Sequence, residues 1–219
     1  MDRVELTKLV DGRQMGEIDR RTIEEYGISG VELMQRAGRE VVEAIAGRWD
    51  GLESLRAVVV CGKGNNGGDG YVVAHLMRQS GATIRLFLAA DRNEVGGAAA
   101  HHLQVYEEGG GVLETLVSPA DAHIFTTAIN EADLVVDAIL GTGLRGVPRL
   151  LQERAIECVN CCGKPVVAVD MPSGVQADTG RVQGACVQAV LTVTFGLAKV
   201  GQMFYPGRSF CGALHIVDI

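Results

Sequence analysis

The chain of 219 residues lacks any run of 18 apolar residues, and its first residues are acidic and polar where a signal peptide needs an apolar stretch. These absences predict a cytoplasmic protein with no membrane partner. Positive charge is also scarce, because 20 Lys and Arg against 27 Asp and Glu give a net charge of −7. A surface that follows nucleic-acid phosphates needs an excess of positive charge, so we expect no nucleic-acid partner.

Cysteine is sparse as well, with six residues, too few for a disulfide scaffold in a chain of this length. Only Cys158, Cys161 and Cys162 cluster, and no second cysteine or histidine pair follows to complete a zinc site. Their spacing is typical of one helix face. The chain also lacks the Gly-x-Ser-x-Gly and Walker A motifs, which excludes the commonest hydrolases and NTPases.

What the sequence does contain is a regular alternation of apolar runs and helical stretches. Apolar residues make up 47% of the chain, and no repeat or Pro/Ser-rich linker divides it, so we predict one domain over residues 1–219. Two helices are expected first, one over Leu6 to Tyr26 closed by Gly27, and one with an apolar face between Leu33 and Ile45.

From Leu55 onward the pattern is typical of βαβ units. Strands are predicted at Ala57 to Cys61, Thr83 to Ala89, Leu134 to Ala138, Val166 to Val169, Ala189 to Phe195 and Leu214 to Val217. Helices are predicted at Tyr71 to Gln79, Gly97 to Glu108, Ala120 to Asn130 and Leu150 to Cys162. The expected fold is therefore α/β, a Rossmann-like, open, mostly parallel sheet with helices on both faces. The two N-terminal helices are expected to cover one face or an edge.

The most specific segment is VVCGKGNNGGDG, a strand that runs into a glycine-rich turn. Gly62, Gly64 and Gly67 satisfy the G-x-G-x-x-G spacing, which lets backbone N–H groups approach phosphate oxygens. A dinucleotide fingerprint does not require Asn65, Asn66 and Asp69 inside that turn, and each of these side chains could bind a ligand. The alternative of a helix cap accounts for only one of the three.

Two further strands end in an aspartate followed by a loop. Asp137 precedes a glycine loop in which Arg145 could bind a phosphate, and Asp170 precedes Pro172, Ser173 and Gly174. A carboxylate in an apolar strand is costly unless it has a partner. A glycine turn with a surface arginine, or a turn brace at Asp170, are the alternatives.

The carboxyl ends of parallel strands meet at one edge of an open sheet, where ligands bind. Asn66, Asp137 and Ser173 would there offer three oxygen ligands to an alkali or alkaline-earth cation. Asp170 would remain free for proton transfer. Lys199, after another strand, could reach an anion or could be solvated.

The ordered motifs resemble those of the NAD(P)H-hydrate epimerase family, the YjeF N-terminal domain. They are GKGNNGGDG at 62–70, VDAILGTGLRG at 136–146, VDMPSG at 169–174, TFGLAKVG at 194–201 and PGRSFCG at 206–212. The resemblance extends from about Leu9 to Ile219. Gln35 and Arg36 depart from it, because many relatives have Glu and Asn there.

The resemblance implies an enzyme that interconverts the R and S forms of NADHX and NADPHX, nicotinamide cofactors hydrated at C6. It implies one potassium ion per subunit, held by Asn66, Asp137 and Ser173. The implied NADPHX-binding positions are Asn65, Asn66, Gly67, Gly68, Asp69, Gly141, Thr142, Gly143, Leu144, Arg145, Gly146, Val147 and Asp170. A homodimer is expected, as is a natural chain that continues into an ADP- or ATP-dependent dehydratase.

Epimerisation at C6 needs the C–O bond to break and reform, by loss of hydroxide or by ring opening. Asp170 is the candidate proton donor and acceptor, with Lys199 as a helper for phosphate or transient charge. The alternatives are a non-catalytic nucleotide-binding or scaffold module and an NAD-dependent oxidoreductase. The glycine spacing and Asp91, which follows the second predicted strand as a ribose-binding acid would, favour the oxidoreductase. The separation argues against it, since Asp91 lies 29 residues past Gly62 instead of about 20.

Overall fold

The structure is a computed structural model that describes residues 8–117 and 119–219. Its strands are β1 (Leu9–Val10), β2 (Arg56–Cys61), β3 (Thr83–Leu88), β4 (Leu113–Thr115), β5 (Leu134–Ala138), β6 (Val166–Val169), β7 (Leu191–Phe195), β8 (Ala198–Lys199) and β9 (Ala213–Val217). Seven of them form one sheet in the order β4-β3-β2-β5-β6-β7-β9, with every neighbouring pair parallel. Strands β5, β6 and β7 are buried along their whole length, as expected for strands covered on both faces.

The helices lie on both faces of this sheet. They are α1 (Gly12–Tyr26), α2 (Gly30–Arg48), α3 (Asn65–Gln79), α4 (Gly97–Glu108), α5 (Pro119–Glu131), α6 (Leu150–Cys161) and the short α7 (Val200–Met203). One core joins α2, α3 and α4 to the sheet through residues such as Ile45, Val59 and Tyr71. A second core joins α5 and α6 to the other face around Phe125 and Ile156. The predicted α/β architecture is confirmed.

The strand order places a crevice between β2 and β5. The chain runs outward from β2 to β4 and then returns to β5 on the other side of β2. The loops that follow β2 and β5 therefore diverge at the carboxyl edge, which is where open α/β sheets bind ligands. Gly62 and Ile139, the first residues after these strands, lie at this point.

The prediction for the first helix is wrong at its start. Helix α1 begins at Gly12, and Leu9–Val10 form strand β1, which pairs in parallel with β8. Asp11 begins the helix by accepting a hydrogen bond from the backbone of Gln14 at 2.6 Å. The predicted end at Gly27 is confirmed, with Gly27 in the left-handed conformation at φ +71°. The predicted start at Leu6 lies outside the described residues.

The prediction that residues 62–70 form a turn before a helix at Tyr71 is also wrong, since α3 begins at Asn65. The glycines of this segment allow a helix to pack closely rather than a loop to bend. A Cβ on Gly67 would lie 1.9 Å from the carbonyl oxygen of Gly62, and one on Gly70 would lie 2.5 Å from Cys61 Sγ. The remaining predicted strands and helices begin and end within about three residues of those observed. None of the helices in the described ranges is long and apolar enough to cross a bilayer.

Candidate active site

A cavity of about 620 Å³ opens at the carboxyl edge of the sheet, where the strand order reverses. Most of the residues predicted to bind ligand line it, namely Asn65, Asn66, Asp69, Gly141, Thr142, Gly143, Leu144, Arg145, Val147, Asp170 and Lys199. Five predicted site residues do not line it, namely Gly67, Gly68, Asp137, Gly146 and Ser173. A Cβ on Gly68 would lie 2.4 Å from Met34 Sδ, so this glycine lets α3 pack against α2.

The loop after β6 holds Asp170 in a strained backbone conformation. Asp170 has φ +60°, which side-chain-bearing residues rarely adopt, and its N–H donates to the carbonyl oxygen of Val193 at 2.8 Å. Its Oδ1 accepts hydrogen bonds from Lys199 Nζ at 2.6 Å and from Thr194 Oγ1 at 2.9 Å. No described residue donates to its Oδ2, so one carboxylate oxygen remains for a molecule in the cavity.

Lys199 is 1% exposed, and its ammonium forms a hydrogen-bonded ion pair with this carboxylate. Besides Asp170, its ammonium donates to Thr194 Oγ1 at 2.8 Å and to the carbonyl oxygen of Phe195 at 3.0 Å. All three N–H bonds of the ammonium are thereby used. The sequence suggested an anion contact or a solvated lysine, whereas the structure makes Lys199 the ion-pair partner of Asp170.

Two polar residues that sequence reasoning missed support this pair. Gln202 accepts from the backbone N–H of Lys199 at 2.8 Å and donates to the backbone oxygen of Asp170 at 2.6 Å. Thr194 and Gln202 are both fully buried. The available signal was the hydroxyl of Thr194, which with that of Thr192 lies in a strand predicted to be buried, because a buried hydroxyl needs a partner.

Two more carboxyl groups, those of Asp69 and Asp19, line the cavity. No described residue forms a hydrogen bond with either side chain. Burial, followed by the negative charges of Asp170 and Asp19, raises the pKa of Asp69 well above its usual range, and Lys199 opposes this rise. Burial and Asp170 also raise the pKa of Asp19. Asp19 was missed because it looks like an ordinary polar residue of an amphipathic helix.

Asp137 and Ser173 join the loops after β5 and β6. The fully buried Asp137 carboxylate accepts from the backbone N–H and the hydroxyl of Ser173, at 2.8 and 2.6 Å, and from the N–H of Ile139 at 3.2 Å. Ser173 Oγ in turn accepts from the N–H of Leu140 at 2.8 Å. Burial raises the pKa of Asp137 to about 6, although these hydrogen bonds lower it. The partner that this carboxylate required is thus supplied by the protein itself.

Asn66 differs, because its carboxamide oxygen and nitrogen are both buried without a hydrogen-bond partner among the described residues. The side chain lies against Gly141, where a Cβ would be 3.2 Å from Asn66 Oδ1. A buried polar atom without a partner costs about 1–3 kcal/mol, so this amide is suited to a bound ligand or ion. In the described part of the chain, no group of three or more His, Cys, Asp or Glu residues could hold a metal.

The cavity is basic at its rim and acidic within. Lys63, Arg145 and Arg149 line it, and the side chains of Lys63 and Arg145 are 36% and 62% exposed. Lys63 pairs with Glu94 at 2.5 Å, while Arg145 is 3.9 Å from Asp178. Asp69 and Asp170, by contrast, are both 9% exposed. An elongated ligand would therefore meet positive charge at one end and carboxyl groups at the other.

The chain matches the family described as YjeF-related protein N-terminus over residues 30–201. It belongs to that family. It is 43% identical to a bifunctional NAD(P)H-hydrate repair enzyme Nnr of Moorella thermoacetica over 96% of this chain, and spans 40% of that protein's length. It is 34% identical to an NAD(P)H-hydrate epimerase of Pirellula staleyi, over 99% of this chain and 94% of that one.

A solved structure shares the fold. The crystal structure of yeast ynu0, YNL200c, covers 96% of this chain and 87% of its own, with a TM-score of 0.75 and 21% identity. The family predicted from the ordered motifs is confirmed by the family match, and the fold by this likeness.

Proposed function

We propose that this domain is an NAD(P)H-hydrate epimerase, which interconverts the R and S forms of NADHX and NADPHX. The observation that carries the proposal is the buried Asp170–Lys199 pair on the cavity, with one Asp170 oxygen left without a protein partner. The near full-length similarity to the Pirellula staleyi epimerase supports it, and so does the similarity to the Moorella thermoacetica repair enzyme.

The charge distribution supports one orientation of the substrate. The cofactor phosphates would lie at the rim, where the guanidinium of Arg145 and the ammonium of Lys63 supply positive charge. The hydrated ring would lie inside, beside Asp170 and Asp69. Loss of hydroxide from C6 leaves a ring cation, which the Asp170 carboxylate would stabilise.

Asp170 would exchange a proton with the oxygen on C6. Its Oδ1 is held by Lys199 and Thr194, so the carboxylate is fixed in position while its Oδ2 faces no protein donor. The lone pair of the ring nitrogen assists departure of the oxygen, and the carboxyl group supplies the proton that turns hydroxide into water. The Asp170 backbone strain is consistent with a group held in place for chemistry.

We propose that a potassium ion would bind beside Asn66. The partnerless amide oxygen of Asn66 is a hard ligand. The Ser173 hydroxyl and the Asp137 carboxylate, which are hydrogen-bonded to each other, would supply further oxygen ligands from the adjoining loops. When bound, the ion would supply a fixed positive charge and order these loops. Asp137 and Ser173 already hold the loop at Leu140 by hydrogen bonds.

The test is the exchange of purified R- and S-NADPHX, resolved by chromatography, with and without the protein. Exchange should be faster with the wild type and should fall at least about tenfold for Asp170→Asn, which corresponds to about 1.4 kcal/mol of transition-state stabilisation. Asn is the appropriate replacement because it tolerates a positive φ, whereas alanine would add backbone strain. Exchange at the spontaneous rate would sink the proposal and leave a nucleotide-binding or scaffold role.

The oxidoreductase alternative has little structural support. Asp91 does not line the cavity, and its Oδ1 accepts a hydrogen bond from the N–H of Asn93 at 2.8 Å. It thus caps a short 3-10 turn at Arg92–Glu94 instead of facing a ribose. That the protein forms a homodimer, is fused to a dehydratase and lies in the cytoplasm are predictions from the sequence.

A further inference from the structure

Helix α1 forms a wall of the cavity, although it lies outside the matched range 30–201. Met15, Asp19 and Ile23, spaced by four residues, all line the cavity. Residues four apart lie on one face of a helix. Asp19 therefore interrupts an apolar stripe that faces the site, where a carboxyl group gains nothing from packing.

The other carboxyl groups of α1 all have arginine partners. Glu17 and Glu24 both pair with Arg20, and Glu25 pairs with Arg21 at 2.9 Å. No described residue forms a hydrogen bond or an ion pair with Asp19. The helix thus neutralises its surface carboxylates and leaves the one that faces the cavity available.

The start of α1 is fixed close to the Asp170–Lys199 pair. Strand β1 pairs with β8 so that Val10 is opposite Lys199, and the N–H of Gly12 donates to Asp178 at 2.6 Å. Met15 packs against Gly196, with its Cε 3.4 Å from where a Cβ would be. The charged groups that act on Asp19 are Asp170, which raises its pKa, and Lys199, which lowers it.

We propose that Asp19 is the second catalytic carboxyl group of this site and exchanges a proton with the C6 oxygen on the ring face that Asp170 does not serve. This inference rests on the proposed epimerase function. On either route, the oxygen begins on one face of the ring and finishes on the other. One fixed carboxyl group cannot reach both positions, so the reaction needs a second.

The step balances without any further reactant. One carboxylic acid donates its proton to the departing hydroxyl, the C6–O bond breaks, and the ring nitrogen lone pair forms a C6=N1 double bond as water is released. Water then adds to C6 from the other face, the electrons of the double bond return to nitrogen, and the second carboxylate takes the proton. The substrate is neither oxidised nor reduced.

Asp69 is the competing candidate for this role. A group that must gain and lose a proton in alternate turnovers needs exchange with water and a pKa close to the working pH. Asp69 lines the cavity from α3 but is 9% exposed, and burial raises its pKa well above the usual range. Asp19 is only half-buried on α1, which suits it better to proton exchange with solvent.

The experiment compares Asp19→Asn, Asp19→Glu and Asp69→Asn with the wild type in the R/S exchange assay, over a range of pH. Glu17→Gln is the matched control, a carboxyl-to-amide change on the solvent side of the same helix. We expect Asp19→Asn to lower kcat at least about tenfold with little change in KM, and to remove one limb of the pH profile. Asp19→Glu should restore part of the rate.

The outcomes separate the two proposals. An active wild type with an equally active Asp19→Asn variant would overturn the role of Asp19 alone, as would a loss confined to Asp69→Asn or shared by Glu17→Gln. A wild type without activity would overturn the epimerase function and this inference with it. Circular dichroism melts show whether each variant is folded, and loss of rate in a folded Asp19→Asn protein supports the proposal.

Discussion

Lys199 Nζ donates a 2.6 Å hydrogen bond to Asp170 Oδ1 across the ends of two different strand connections, and the lysine is 1% exposed. The pair therefore joins the loop after β6 to strand β8. If either side chain is removed, the charge of the remaining one stays in the interior without a partner. A buried charge without its partner is costly, so the pair is a stability element as well as a chemical one.

We expect Lys199→Met and Asp170→Asn each to lower the free energy of unfolding by about 3–5 kcal/mol, the usual cost of breaking a buried ion pair. The double variant should lose less than the sum of the two, because it leaves no uncompensated charge. Urea denaturation of the four proteins measures this coupling. Additive losses would contradict the buried pair.

Alanine at two helical glycines should have effects of opposite sign. At Gly67 a Cβ would lie 1.9 Å from the carbonyl oxygen of Gly62, which is backbone and cannot move aside. At Gly16, in α1, a Cβ would meet nothing within 4 Å. Gly67→Ala should therefore cost about 1–3 kcal/mol of stability, whereas Gly16→Ala should gain up to about 1 kcal/mol from helix propensity. Thermal melts measure the change in stability of each variant. Equal changes for Gly67→Ala and Gly16→Ala would argue against the close approach of α3 to the end of β2.

The sequence predicts the sheet and its functional edge well because both depend on local patterns. Buried parallel strands such as Leu134–Ala138 and Val166–Val169 are short, almost wholly apolar runs. Each has an aspartate near its carboxyl end, Asp137 inside the first strand and Asp170 directly after the second. The sequence also contains the glycines after β2. It does not show that they permit close packing, since Gly67 looks the same in a turn and in a helix.

What the sequence could not predict depends on contacts between distant segments. The pairing of Leu9–Val10 with Ala198–Lys199 links residues about 190 positions apart, and two-residue strands have no periodicity to detect. The same pairing brings Asp19 to the cavity and buries Lys199. A lone lysine and a helical aspartate look like surface residues until the sheet brings their neighbours together.

The contribution of Asp69 to the free energy of unfolding should fall as pH rises above about 4. Burial raises its pKa in the folded chain above the unfolded value, so the folded state holds a proton that the unfolded state releases. This contribution to stability is complete below the unfolded pKa and is lost as pH rises toward the folded one. Asn at this position mimics the protonated carboxyl group. Asp69→Asn should therefore reduce the slope of the free energy of unfolding against pH between pH 4 and 8. The exposed Asp218→Asn is the control, and an unchanged slope for Asp69→Asn would contradict the prediction.

Potassium should stabilise the folded protein through Asn66. Both polar atoms of this side chain are buried without a partner among the described residues, so an ion on the oxygen removes part of that cost. An ion that binds only the folded state raises stability by about 2.7 kcal/mol at a hundredfold excess over its Kd. The melting temperature in potassium chloride should therefore be higher than that in N-methylglucamine chloride of equal ionic strength. The same measurement in sodium chloride tests whether the effect is selective for potassium. Asn66→Leu removes both partnerless atoms, so it should melt at the same temperature in each salt. If the wild type melts at the same temperature in all three salts, or if the potassium effect persists in Asn66→Leu, then Asn66 holds no ion.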